Sequence, residues 1–176
     1  MKKKIVIILA MLTFLVVACQ GFYLKKLQNR PYNPVPLSKE LKERIKSDVS
    51  VMDDASSIVR YSCSLTAELL SFSGENDILR GKANCIGYAQ LSSTICNYAF
   101  SVFNGEDKSI RNCVARPVIG TVHYCGLNLN KLLQNILPQK HKSFFKDHDF
   151  MEVKFSGGDI RYVDACIYDY FGRNDL

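Results

Sequence analysis

The sequence predicts a single α+β domain, with helices in its first half and an antiparallel sheet in its second half. Apolar residues recur at helical spacing across residues 38–72, a long apolar helical pattern follows Cys85, and strand-like patterns dominate after Ile110. A length of 176 residues, 47% of them hydrophobic and 23% charged, suits one globular domain and excludes a mainly disordered or fibrous chain.

Residues 1–18 are predicted to be a signal peptide. Lys2–Lys4 precede an apolar run from Ile5 to Ala18, which is shorter than the ~20 apolar residues that cross a bilayer. The end of this run and the next residue, VVAC, resemble a bacterial lipobox, in which the cysteine is lipidated and becomes the mature N-terminus. The resemblance implies a membrane protein anchored through Cys19 at the cell envelope, facing the periplasm or the cell exterior. An ordinary signal peptide and an uncleaved anchor are the alternatives.

Residues 19–37 are predicted to be a tether, and the globular domain is expected over residues 38–176. Pro31, Pro34 and Pro36 punctuate the tether. Because proline fixes φ and lacks a backbone donor, this segment favours neither a helix nor a central strand.

Two structural helices are expected next. Ser38 is a good N-cap for LKERIKSDV, which is the first of them. The second covers residues 53–72, where Ile58, Ser62, Leu65 and Leu69 fall at intervals of three and four.

The composition gives no reason to expect a nucleic-acid partner, a cofactor or a metal. The formal net charge of +6 falls to +3 without Lys2–Lys4, and the remaining charges are dispersed. There is no phosphate-cradling glycine-rich loop. A zinc site built from Cys113, His123 and Cys125 has weak support, because no CxxC pair occurs.

The cysteines leave disulfide pairing open. An exported protein permits disulfides, and six cysteines remain after Cys19. They are Cys63, Cys85, Cys96, Cys113, Cys125 and Cys166.

Cys85 is predicted to lie in the first turn of a central helix. Gly81 ends the preceding structure, Asn84 is a strong N-cap, and little turn chemistry follows until Asn104. Apolar residues fall on more than one side of this helix, which is typical of a buried one. Backbone N–H groups and the helix dipole stabilise a thiolate at such a position, as a nucleophilic cysteine requires.

A β-hairpin is expected near the C-terminus, around the Gly-Gly pair of KDHDFMEVKFSGGDIRYVDACI. The alternating apolar residues of the two strands share one face of the hairpin only if Phe155 pairs with Asp159 around a three-residue loop. In this register His148 and Asp164 are diagonal neighbours on the other face, with backbones ~7–8 Å apart, so the Asp carboxylate can hold the imidazole.

The order Cys, His, Asp resembles the transglutaminase-like superfamily, whose members share the papain-like α+β arrangement. The matching segments are GKANCIGYAQL, CVARPVIGTV, HDFMEVKF and YVDACIYDYFG, which lie between Gly81 and Gly172. The resemblance implies that Cys85 is the nucleophile, His148 the general base and acid, and Asp164 the residue that orients the imidazole. It also implies a buried nucleophile helix packed on the C-terminal sheet.

The sequence departs from the family pattern at two positions. Many members carry a Trp after the His and a Pro after the Asp, where this chain has Phe150 and Ala165. These changes affect the lining of the substrate cleft and the end of a strand. His123 is a rival base, since it too follows Cys85 in a strand-like run, whereas His141 lies between two lysines and reads as a loop residue.

Two kinds of function follow from the resemblance. One is a cysteine hydrolase or acyltransferase that acts on a peptide, protein or other amide substrate through an acyl-enzyme. The backbone N–H of Cys85 is the expected first oxyanion donor, and the second is unassigned. The alternative is a catalytically inactive lipoprotein of the same fold that acts as a binding module.

Overall fold

The computed structural model describes residues 22–124, 126–136 and 147–167. These residues form a mixed α+β fold, which confirms the predicted class. The helices are α1 Lys39–Val49, α2 Ala55–Leu69, α3 Cys85–Val102 and α4 Leu129–Ile136. The strands are β1 Phe22–Asn29, β2 Ser71–Phe72, β3 Lys82–Ala83, β4 Val114–Tyr124, β5 Leu127–Asn128, β6 His148–Lys154 and β7 Ile160–Val163.

The main sheet is antiparallel, with the strand order β1-β4-β6-β7. β4 is its long central strand, and β5 pairs with the end of β4. β2 and β3 form a separate parallel pair just before α3.

The sheet begins in a segment that the sequence analysis assigns to the tether, and this boundary is wrong. β1 pairs with β4 from Phe22 opposite Tyr124 to Asn29 opposite Val118. The prolines that argue against a strand all come after Asn29, so they do not interrupt β1. β1 is an edge strand, and among its described side chains, those of residues 23–29, Leu24 is the one buried apolar side chain. Its sequence therefore lacks the apolar alternation of the inner strands.

Residues 30–37, the strap, then cross α3. The Asn33 N–H donates to Gln90 Oε1 at 3.1 Å, and the Val35 N–H donates to Thr94 Oγ1 at 3.0 Å. The strap is therefore held to the helix through its backbone N–H groups. Outside a helix or sheet, such groups need hydrogen-bond partners of this kind.

The first two helices match their predictions. The Ser38 hydroxyl accepts the Leu41 N–H at the start of α1, and Asp54 accepts the Ser57 N–H at the start of α2. Ile58 and Leu65 on α2 are buried against the core. Each helix thus begins with a side-chain cap and turns its apolar side inward.

The core lies between the helices and one face of the sheet. Ile95 and Ala99 of α3 pack in the same buried cluster as Ala115, Met151 and Val153 of the sheet. A smaller cluster of Leu24, Val118 and Phe150 lies on the opposite face.

The hairpin has the predicted register. Met151 pairs with Val163, and the Phe155 N–H donates to the Asp159 carbonyl at 2.8 Å across the three-residue loop. β7 is shorter than expected, because the strand ends at Val163 and residues 165–167 form a helical turn.

Candidate active site

Cys85 is the first residue of α3 and its side chain is partly exposed. Asn84 Oδ1 accepts the N–H groups of Ile86 at 3.1 Å and Gly87 at 3.4 Å, which fixes the start of the helix. The thiol therefore lies at the positive end of the helix dipole, where negative charge is stabilised.

His148 and Asp164 come together at one end of the hairpin. His148 Nε2 contacts Asp164 Oδ2, and the Asp164 side chain is only 1% exposed. The other oxygen, Oδ1, accepts the N–H groups of Cys166 at 2.9 Å and Ile167 at 3.2 Å. One oxygen of Asp164 thus caps the helical turn that ends β7, while the other holds the imidazole.

The His148 ring also interacts with Cys85, so all three predicted residues are connected. Burial alone would lower the pKa of His148, but the charge and hydrogen bond of Asp164 and a hydrogen bond with the Cys85 thiol raise it well above its ordinary value. Because Asp164 contacts Nε2, Nδ1 is the ring nitrogen left for the thiol.

One further charged residue, Asp149, contacts the thiol, and Arg30 contacts Asp149 in turn; neither was predicted from the sequence. Cys85 Sγ donates to Asp149 Oδ2 at 3.8 Å. The same oxygen accepts Arg30 Nη2 at 2.9 Å, and Arg30 Nε contacts Oδ1, so the guanidinium holds the carboxylate with two bonds. Burial raises the pKa of Asp149, and the Arg30 guanidinium opposes this rise.

A signal for Asp149 exists in the sequence. By alternation, Asp149 shares a face with Met151 and Val153, so a carboxylate falls on the core side of a strand and requires a partner. Arg30 could not be matched to it from the sequence, because the tether prediction removes residues 19–37 from the domain.

The rival base His123 lies on β4, three residues beyond Gly120, which pairs with His148, and it has partners of its own. Its ring stacks on Tyr23 with centroids 4.8 Å apart. Nδ1 faces the Tyr23 hydroxyl at 3.2 Å, and Nε2 faces Thr121 Oγ1 at 2.9 Å. Among the described residues, the His123 ring contacts Tyr23 and Thr121 rather than Cys85 or a carboxylate.

Two of the other cysteines are packing residues. Cys63 and Cys96 are fully buried thiols of α2 and α3. Burial raises the pKa of Cys63 well above its ordinary value and that of Cys96 to about 12. No disulfide is formed by these two cysteines, by Cys85 or by Cys113.

Several predicted residues lie outside the described residues, namely Cys19, Cys125 and His141. Across residues 22–124, 126–136 and 147–167, no group of three His, Cys, Asp or Glu side chains is arranged to hold a metal ion. Within the same ranges no helix is long and apolar enough to span a membrane.

No family model, curated protein sequence or solved structure matches this chain.

Proposed function

We propose that this chain is an exported, transglutaminase-like cysteine hydrolase or acyltransferase that acts on peptide, protein or other amide bonds. One observation carries the proposal: the His148 ring lies between the Asp164 carboxylate and a thiol at the N-terminus of a buried helix. A nucleophile, a base and an orienting group in contact are the arrangement that covalent acyl transfer needs.

The topology also supports a papain-like fold. The helix that begins with Cys85 precedes an antiparallel sheet in the sequence, and His148 and Asp164 lie on successive strands or just after them. The helix packs on the sheet face that contains Met151 and Val153. This order of parts is the one that the resemblance implies.

Acylation begins with a thiolate at Cys85 and an imidazolium at His148. Sγ attacks the amide carbon, and the carbonyl π electrons move to oxygen, where the Cys85 backbone N–H is the expected donor. The C–N bond then breaks as the imidazolium gives its Nδ1 proton to the departing amine. The product is a thioester and a neutral imidazole.

Deacylation reverses the proton transfer. The neutral His148 takes a proton from water in hydrolysis, or from an incoming amine in acyl transfer, as that nucleophile attacks the thioester. The C–S bond breaks and the thiolate is restored beside the imidazolium. Asp164 keeps Nε2 bonded throughout, which fixes the ring orientation and favours the charged form.

The second candidate is a non-catalytic binding module of the same fold. The contact between Cys85 Sγ and Asp149 Oδ2 favours it, because a carboxylate beside a thiol opposes formation of the thiolate. The two candidates differ in the reactivity of Cys85.

Iodoacetamide labelling as a function of pH, read residue by residue by mass spectrometry, tests the proposal. Cys85 should label rapidly below pH ~8.5, the ordinary pKa of a free thiol. His148→Ala should abolish this early labelling, and Asp164→Asn should weaken it, because the imidazolium partner is lost or loosened. Cys63 and Cys96 are slow internal controls, since both are buried with raised pKa values.

Equal labelling of Cys85 in all three proteins, or an inert Cys85, would favour the binding module. If the early labelling depends on His148, turnover of amide substrates with and without an added primary amine then separates hydrolysis from acyl transfer. Formation of a new amide with the added amine would identify the transferase.

We further propose that a lipid on Cys19 anchors the domain at a membrane surface. The lipobox-like VVAC supports this location.

A further inference from the structure

We propose that Arg30 is a positioning residue for Cys85. By neutralising the charge of Asp149, it allows Cys85 to form a thiolate. This inference rests on the proposed function, since it concerns the nucleophile of that reaction. Arg30 acts through Asp149 and is not itself a catalytic residue.

The geometry places a buried negative charge directly beside the nucleophile. Asp149 is 2% exposed, and its Oδ2 lies 3.8 Å from Cys85 Sγ. A thiolate and a carboxylate at this separation repel each other, and burial weakens the screening by water. An unneutralised Asp149 would therefore disfavour a negative charge on Cys85 Sγ.

Arg30 supplies the missing positive charge. Its Nη2 donates to Oδ2 at 2.9 Å, and its Nε contacts Oδ1 of the same carboxylate. Both carboxylate oxygens are therefore occupied by one guanidinium fork, the strongest common form of this pair. A lysine could supply the charge but not the fork.

Two other charged groups act on Asp149, namely His148 and Asp147. The imidazolium of His148 is held by Asp164, and Asp147 precedes it as an exposed residue that adds a weaker negative charge near Asp149. Among the described residues, Arg30 is the cation whose side chain bonds Asp149 directly.

The position of Arg30 is set by the main-chain pairing of β1. Its backbone N–H donates to the Pro117 carbonyl at 3.3 Å, directly after the last β1–β4 pair. The strap begins at the same residue and is bonded to α3. Docking of β1 and reactivity of Cys85 are thus linked through one side chain.

The test compares the pH at which Cys85 labels with iodoacetamide at half its maximal rate. Arg30→Gln should raise this pH by roughly one unit or more, because the Asp149 charge is then unopposed. Asp149→Asn should lower it, because the Arg30 charge remains. The double variant, with both substitutions, should return close to the wild-type value.

Arg116→Gln is the matched control. Arg116 also bonds a buried carboxylate of β6, since its Nε donates to Glu152 Oε1 at 2.6 Å, but it lies on the opposite face of the sheet. It should leave the labelling curve of Cys85 unchanged. Arg30→Lys should rescue part of the shift seen in Arg30→Gln.

The labelling results distinguish failure of the role of Arg30 from failure of the proposed function. A wild-type Cys85 that labels early in a His148-dependent way, with the same half-maximal pH in Arg30→Gln and Asp149→Asn, overturns the role of Arg30 and leaves the proposed function intact. A wild-type Cys85 that never labels early contradicts the proposed function, and this inference with it. If Arg30→Gln does not fold, the opposite shift of Asp149→Asn and the return in the double variant decide the matter.

Discussion

Asp164 performs two tasks with its two carboxylate oxygens, and this explains why the strand ends where it does. Oδ1 accepts two backbone N–H groups of residues 165–167, while Oδ2 contacts His148. An oxygen that caps a helical turn is fixed by the backbone, so the imidazole is held by a carboxylate that cannot rotate freely. A helix cap of this kind contributes about 1 kcal/mol in addition to its orienting effect.

Gly120 lies at a point of the sheet that has no room for a side chain. It pairs with His148 across β4 and β6, and a Cβ added there would lie 2.3 Å from the Lys25 backbone oxygen and 2.6 Å from Phe150 Cε1. We expect Gly120→Ala to lower the free energy of unfolding by about 1–3 kcal/mol, because β1 must move away from β4. Urea unfolding measures this value.

Gly157→Ala is the matched control for Gly120, since nothing lies within 4 Å of the added Cβ. It should unfold within about 0.5 kcal/mol of the wild type. Equal stability of the two variants would mean that β1 and Phe150 accommodate the methyl group.

At the scale of elements, α3 carries a polar side that the sequence analysis does not use. Gln90, Thr94 and Asn97 recur at intervals of four and three, so they share one side of a helix whose other sides are mainly apolar. Gln90 and Thr94 bond the strap. Asn97 accepts the Ala115 N–H at 2.7 Å and donates to the Ala115 carbonyl at 2.8 Å.

Asn97 should therefore be the polar residue on which the seating of α3 against β4 depends. We expect Asn97→Ala to lower the free energy of unfolding by about 1–3 kcal/mol, because a buried backbone donor and acceptor lose their partner together. Thermal or urea unfolding tests this expectation. Ser101→Ala removes an exposed hydroxyl that donates to the Tyr98 carbonyl of the same helix, and it should have almost no effect.

The elements that depend on short-range signals were predictable from the sequence. Ser38 and Asn84 mark helix starts by their side-chain chemistry, and the register of the hairpin follows from burying two alternating apolar sets on one face. The contact of His148 with Asp164 agrees with that register. Each of these features depends on residues that are close in the sequence.

The unpredicted parts depend on contacts between distant residues. β1 is an edge strand whose partner, β4, lies about a hundred residues later. Its exposed residues include the apolar Tyr23 and Leu27, so apolar and polar residues do not alternate along it. The Arg30–Asp149 pair joins residues 119 positions apart. Local patterns cannot reveal either, whereas a polar stripe on a buried helix does indicate that something polar must cover it.

At the scale of the whole molecule, stability and pH are linked through His148. Its pKa in the folded protein is raised, chiefly by Asp164 against the opposing effect of burial. A raised pKa means that the folded state keeps the proton that the unfolded state loses near pH 6.5. The stabilisation is therefore complete below pH ~6.5 and is lost as the pH rises through the folded value.

This linkage is measurable in a Cys85→Ala background, which removes the titration of the thiol. Above pH ~6.5 the free energy of unfolding should fall by up to about 1.4 kcal/mol per pH unit more than in the same background with His148→Gln. Urea unfolding at a series of pH values between 6 and 9 gives both slopes. Parallel curves would show that His148 has the same proton affinity in both states.

The early start of β1 has a mechanical consequence for the proposed lipoprotein. Two residues separate Cys19 from β1, and β1 leads directly to Arg30. Eleven residues span at most about 40 Å even when fully extended, so the site could attack only bonds within that distance of the bilayer. A force on the lipid would also be transmitted along the edge strand to the guanidinium that holds Asp149. Tension at the membrane would therefore change the reactivity of Cys85 Sγ.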